Sequence, residues 1–139
     1  MIVSLHVASG ALAGALAGSR TGALALGPLA HLLGDRMPHH DIASRRFEVA
    51  SGTAALLFLA ARRGPLDAAV LGAVAASVPD VEHVVRFPRP GGRKLFPSHR
   101  FRGWHRPGGV PTWAQLLAAG AILGALGGPK PSAPSGNAS

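Results

Sequence analysis

Five stretches of this chain are almost free of charge, and that absence limits the folds open to it. They run over residues 5–18, 22–34, 48–61, 66–79 and 111–127, and their only charged side chains, Glu48 and Asp67, stand at the start of their segments. Ala and Leu dominate and strict alternation is absent, so each stretch reads as helix rather than strand. Gly- and Pro-bearing breakers separate them: "GSRTG" at 18–22, "DRMPHHDIASRR" at 35–46, "RRGP" at 62–65 and a long polar loop over 79–109. The fold class predicted is all-α, a bundle of about five short helices with that loop before the last one. Its 139 residues suit one domain over 1–127, followed by a small, polar, Pro-rich tail at 128–139 expected to be disordered.

A helix on a water-exposed surface needs a polar face, and a chain of this size can surround one helix with protein but not five. Only 14% of the residues are charged. The missing polar faces predict a multi-pass membrane bundle, with the lipid bilayer as partner. The spans are short, about 13–18 residues or roughly 20–27 Å, against a hydrocarbon core of about 30 Å. The net charge of +8 is read as basic loops facing anionic headgroups. Nucleic acid is not an expected partner, because Tyr is absent and no segment carries a basic recognition face. With no Cys, disulfides, a thiolate nucleophile and Cys-based zinc sites are excluded, so a metal must be held by His and carboxylate.

Connection parity then gathers residues that the sequence scatters. In five helices running up and down, the N-terminus and the loops after the second and fourth segments share one end. His6, His31, His39, His40, His83, His99 and His105 all fall there, with Asp35, Asp41, Asp80 and Glu82. So do Arg36, Arg45, Arg46 and the basic residues at 86, 89, 93, 94, 100, 102 and 106, whereas Arg20, Arg62, Arg63 and Lys130 lie at the other end. The positive-inside rule makes the histidine-rich face cytoplasmic.

His31 and Asp35 stand at i and i+4 and share a helical face, and Asp80 and His83 pair at i and i+3 if a turn persists. Imidazole and carboxylate without thiolate suit zinc best, with manganese or iron as alternatives. The candidate ligands are His6, His31, Asp35, His39, Asp80, His83, His99 and His105. Glu82 and Asp41 are the candidate catalytic carboxylates, as general base or as partners that orient the imidazoles. Each residue also has a plainer role: Asp35 and Asp41 as helix caps, His40 as an ordinary hydrogen-bonding side chain. There is no Gly-rich phosphate loop and no G-x-S-x-G elbow, and the adjacency of Ser98 and His99 does not make a triad.

"HLLGDRMPHHD", "PDVEH" and "LFPSHRFRGWH" resemble motifs of the YdjM-like membrane-bound metal-dependent hydrolase family. That family has an early His, a P-D-x-D-H motif and an H-R-G-x-x-H motif between apolar helices. The matching positions are His6; Pro79, Asp80, Glu82 and His83; and His99, Arg100 and His105, with Glu in place of the second Asp and the last His one residue late. The resemblance implies a membrane-bound metal-dependent hydrolase of the bacterial inner membrane. The ligand types suit a metal-activated water as nucleophile, and an ester or phosphoester of an unknown small-molecule or lipid substrate is the expected target. The alternative is a non-enzymatic membrane protein whose His/Asp cluster binds metal structurally or for transport.

Overall fold

Helix boundaries follow local capping chemistry. The Ser19 hydroxyl accepts from the Gly22 amide, the Ser44 hydroxyl from Phe47 and the Asp67 carboxylate from Ala69, each satisfying a donor of a first helical turn. Gly18 closes the first helix at φ 64°, a left-handed conformation suited to glycine. The computed structural model describes residues 1–85 and 88–128. The helices are α1 (Val3–Ala17), α2 (Arg20–Arg36), α3 (Arg45–Arg63), α4 (Ala68–Ser77), α5 (Val81–Val84), α6 (Pro97–Arg100) and α7 (Thr112–Gly127). A 3₁₀ turn over Val78–Asp80 joins α4 to α5. The fold is all-α, with no strand among the described residues. The proposed tail lies outside them from residue 129 onward, as do positions 86 and 87.

Helix α1 is the centre, in contact with α2, α3, α4 and α7. Val7 and Ala11 of α1 pack with Leu59 of α3 and Val70 and Ala73 of α4 in the apolar core. Glycine sets how closely α1 meets α4. A Cβ at Gly10 would lie 2.5 Å from the Gly72 carbonyl oxygen, one at Gly14 2.2 Å from that of Ala68, and one at Gly72 2.3 Å from that of Gly10. The backbones touch, which brings the start of α1 and the end of α4 to the same end of the bundle.

The membrane expectation is overturned. Among the described residues no helix is long and apolar enough to cross a membrane. Helices α1, α2 and α7 have 15, 17 and 16 residues. Helix α3 reaches 19 residues by taking in Arg45, Arg46, Glu48, Arg62 and Arg63, charges that the apolar segment had largely excluded. The inner-membrane location, the transmembrane helices and the cytoplasmic orientation inferred from them fall with this finding. Missing polar faces describe the composition around a helix, whereas a span also needs a length of continuous apolar chain that these helices lack. Leu16, Leu33, Leu57, Trp113 and Leu117 are all exposed, and exposed apolar side chains are a normal component of protein surfaces.

Candidate metal centre

One carboxylate organises the histidine-rich end. Asp35, in the last turn of α2, is 1% exposed. Its Oδ1 lies 3.0 Å from His6 Nε2, and its Oδ2 lies 3.0 Å from His31 Nε2, 3.4 Å from His99 Nε2 and 3.2 Å from His105 Nε2. The Ser98 hydroxyl donates to Oδ2 at 2.6 Å. Four imidazoles from α1, α2, α6 and the long loop thus converge on one side chain. Burial alone would push the Asp35 carboxyl up, but the imidazoles of His105, His31, His6 and His99 gathered around it hold it well below the usual carboxylate range.

The far nitrogens of these rings fix their orientation. His31 Nδ1 donates to the Ala76 carbonyl at 2.8 Å, and His99 Nδ1 to Glu82 Oε1 at 2.6 Å. A neutral imidazole whose Nδ1 donates carries its lone pair on Nε2. The Nε2 atoms of His31 and His99 lie 3.3 Å apart, and both face Asp35 Oδ2. Two lone pairs and a carboxylate oxygen at such distances repel unless positive charge lies among them. That charge can be protons on the imidazoles or a metal cation.

The spacing suits the metal. Tetrahedral bonds of 2.0–2.1 Å put ligand atoms about 3.3 Å apart. The three edges of the triangle formed by His31 Nε2, His99 Nε2 and Asp35 Oδ2 are 3.3, 3.0 and 3.4 Å. Asp80 Oδ1 stands near its open side, 4.0 Å from His31 Nε2 and 3.8 Å from His99 Nε2. Asp80 Oδ2 is buried with no hydrogen-bond partner, as is His6 Nδ1, and unsatisfied buried polar atoms of this kind are costly without a partner. His6, His31 and Asp80 make a further ligand group, as do Asp35, His39 and His105, and Asp80, His83 and His99.

The remaining candidates sit at the margins. His39 Nδ1 donates to the Met37 carbonyl at 2.6 Å, leaving Nε2 3.1 Å from the exposed carboxylate of Asp41. The Met1 amino nitrogen contacts His39 Nε2 and lies 3.2 Å from Asp35 Oδ1. Exposed His83 receives a hydrogen bond from Lys94 at 2.9 Å. Burial, the charge of His99 and the Lys94 ammonium bring its pKa down to about 4. Burial likewise takes His6 down to about 3, against the pull of Asp35. Asp80 is pushed up by burial and by the Asp35 charge. The side chain of His40 is outside the cluster; its backbone pairs with Val110 and Gln115.

Both oxygens of Glu82 are hydrogen-bonded within the site. Its Oε1 is taken by His99 and its Oε2 accepts from the Leu95 amide at 2.8 Å. The Asp41 carboxylate lines the cleft above the cluster. Three further residues serve the site. Ser98 fixes Asp35; its position on the short helix that carries His99 is the signal in the sequence. Glu48 accepts from the Val3 amide at 2.7 Å and ties α3 to the start of α1. Gln115, the lone amide side chain of an apolar helix, accepts from Ile2 at 3.1 Å and donates to the carbonyls of His40 and Val110.

A cleft of about 550 Å³ opens onto the cluster, with Asp35, Asp80, His99 and His105 among the residues that line it.

No family model, curated protein or solved structure matches this chain. The likeness to the YdjM-like family therefore rests on its motif positions alone.

Proposed function

We propose that this protein is a metal-dependent hydrolase acting on an ester or phosphoester at the histidine-rich end of the bundle. The observation that carries the reading is the triangle of His31 Nε2, His99 Nε2 and Asp35 Oδ2, sited at the foot of an open cleft. His31, Asp35, His99 and Asp80 would hold the ion; zinc fits the donor set best, and manganese or iron are the alternatives. A divalent ion there supplies Lewis-acid activation, lowering the pKa of a coordinated water to about 7 and polarising the scissile bond. The chain does the rest. Glu82 and the Ala76 carbonyl present two imidazoles with the correct nitrogen facing inward, and Ser98 holds the Asp35 carboxylate. His105, less enclosed than the other three rings around Asp35, borders the cleft where a proton can be passed to a leaving group. Asp41, whose carboxyl the neighbouring His39 holds below its usual range, is suited to accept a proton there.

The test is metal content together with hydrolysis. Purified protein loaded with zinc, manganese or iron(II) should retain about one ion or more per chain after desalting. It should hydrolyse p-nitrophenyl esters or bis(p-nitrophenyl) phosphate, and chelation should stop it. Asp35→Asn should lose both properties. Absence of bound metal refutes the centre. Bound metal without hydrolysis of either class refutes the enzyme and leaves metal binding for structure or transport.

A further inference from the structure

The cleft above the cluster takes mostly apolar side chains from α3 and from α5. Helix α3 contributes Val49, Thr53 and Leu56, spaced on one helical face. The opposite wall is Val81, Val84 and Val85, from α5 and the residue after it. From Val49 to Leu56 the α3 wall extends roughly 10 Å at the helical rise per residue. These side chains are not core: Val49 is 42% exposed and Val84 52%. Apolar side chains predominate in the lining, which also takes in Arg45 and Glu48 of α3 and His83 of α5, and a mainly apolar recess with a few polar groups is the usual make-up of a small-molecule site. A second recess of about 560 Å³, with Leu24, Val74, Leu95 and Phe96 among its lining, reaches Glu82 but none of the proposed ligands.

We infer that this cleft binds an unbranched apolar chain, so that the ligand of the centre is an amphiphile: an ester or acid head at His31, Asp35, His99 and Asp80, and an alkyl or acyl chain between α3 and α5. The inference rests on the proposed metal centre and goes beyond it by naming the substrate class. The α3 wall turns the face spaced at i, i+3, i+4 and i+7 toward the chain. Gly52, in the same row, leaves room for Val3, whose Cγ1 lies 2.4 Å from where a Gly52 Cβ would stand; the apolar lining thus continues onto α1.

Two measurements test this. In the first, zinc-loaded protein is given p-nitrophenyl acetate, butyrate, hexanoate and octanoate below their micelle-forming concentrations. kcat/KM should rise by up to about fourfold per methylene added, equivalent to about 0.8 kcal/mol of burial, until the chain outgrows the wall. In the second, which needs no catalysis, alkyl hydroxamates of the same chain lengths should bind the metal-loaded protein with affinity that climbs in the same way. Val49→Asp should flatten both slopes, and Leu16→Ser, on the outer surface of α1, should leave them as they are. Hydrolysis with no dependence on chain length, or hydroxamate affinity independent of chain length, overturns the assignment of the cleft. Hydroxamate affinity that climbs with chain length in a protein that hydrolyses none of the esters supports the cleft and refutes the hydrolase. A protein that takes up no metal, and binds no hydroxamate, overturns both.

Discussion

Replacing Glu82 with Gln removes one charge and almost no volume, and its consequence can be worked out atom by atom. The carboxylate accepts two hydrogen bonds, from His99 Nδ1 at 2.6 Å and from the Leu95 amide at 2.8 Å. A glutamine has one acceptor and one donor end. If its oxygen faces His99, its NH₂ meets the Leu95 N–H donor to donor, and the loop that carries His99 is pushed away. If the amide flips, its NH₂ faces His99 Nδ1 and forces the tautomer with hydrogen on Nε2, the nitrogen needed for the metal. Either arrangement loses one contact and misplaces one ligand. Loss of such an orienting partner costs about 10–100-fold in metal affinity, equivalent to about 1.4–2.7 kcal/mol. Competition against a chromophoric chelator measures it directly, with His40→Ala as the control expected to bind as the parent does. An affinity for E82Q within about threefold of the parent would show that His99 needs no orienting carboxylate and would remove the main support for the geometry proposed.

Two further outcomes follow from the packing and the charges. Gly72→Ala would place a Cβ 2.3 Å from the Gly10 carbonyl oxygen, and overpacking of this kind costs about 1–3 kcal/mol; the thermal midpoint should fall, whereas Gly120→Ala, with nothing within 4 Å of the added carbon, should hold or raise it. Equal midpoints for the two variants would refute the close approach of α1 and α4. Metal affinity should also depend on pH. Burial pushes His99 down, but Asp35 and Glu82 outweigh it and raise its pKa above the ordinary 6.5. The proton therefore competes with the ion below that raised value, and affinity should climb by up to about tenfold per pH unit until the ring is neutral, then level off. Flat affinity from pH 6 to pH 8 would refute a His99 ligand.

Much of the bundle was legible from the pattern of uncharged segments. The segment at 111–127 and α7 (Thr112–Gly127) differ by one residue at the start, because Pro and Gly punctuate both ends. Segment 48–61 underestimates α3 (Arg45–Arg63), because hydropathy does not see charged residues that extend a helix from its capping Ser44. Connection parity anticipates that His6, His31, Asp35, Asp80, His99 and His105 share one end. It does not anticipate which carboxylate is central. Asp35 accepts contacts from four imidazoles only because α6 and the loop fold back over α2, a long-range event without a periodic signal. The working of Glu82 was hidden for the same reason, since its second partner, Leu95, lies in an irregular loop. The Gly10 and Gly14 spacing was visible but common in a chain with 19 glycines, and only the carbonyls of Ala68 and Gly72 on α4 give it meaning. Missing polar faces misled about the membrane because they describe composition around a helix, whereas crossing a bilayer also requires length.

The loop between α5 and α7 is held both by the cluster it covers and by contacts with the backbone at the end of α2 and the residues after it. Leu95 is bonded to Glu82, Ser98 to Asp35, the Trp104 indole to the Leu32 carbonyl at 3.2 Å, and Val110 to the Pro38 carbonyl at 3.0 Å. Among its described residues Leu95 and Phe101 are both exposed. Order in the stretch around Leu95 and Ser98 is therefore coupled to assembly of the centre. A cation entering the triangle would act as a rivet joining α2, the end of α4 and α6, and the same ion that activates a substrate would protect that stretch of chain from proteases and from hydrogen exchange. Chelation would then do more than silence the protein: it would loosen the roof while the four long helices beneath it stay packed.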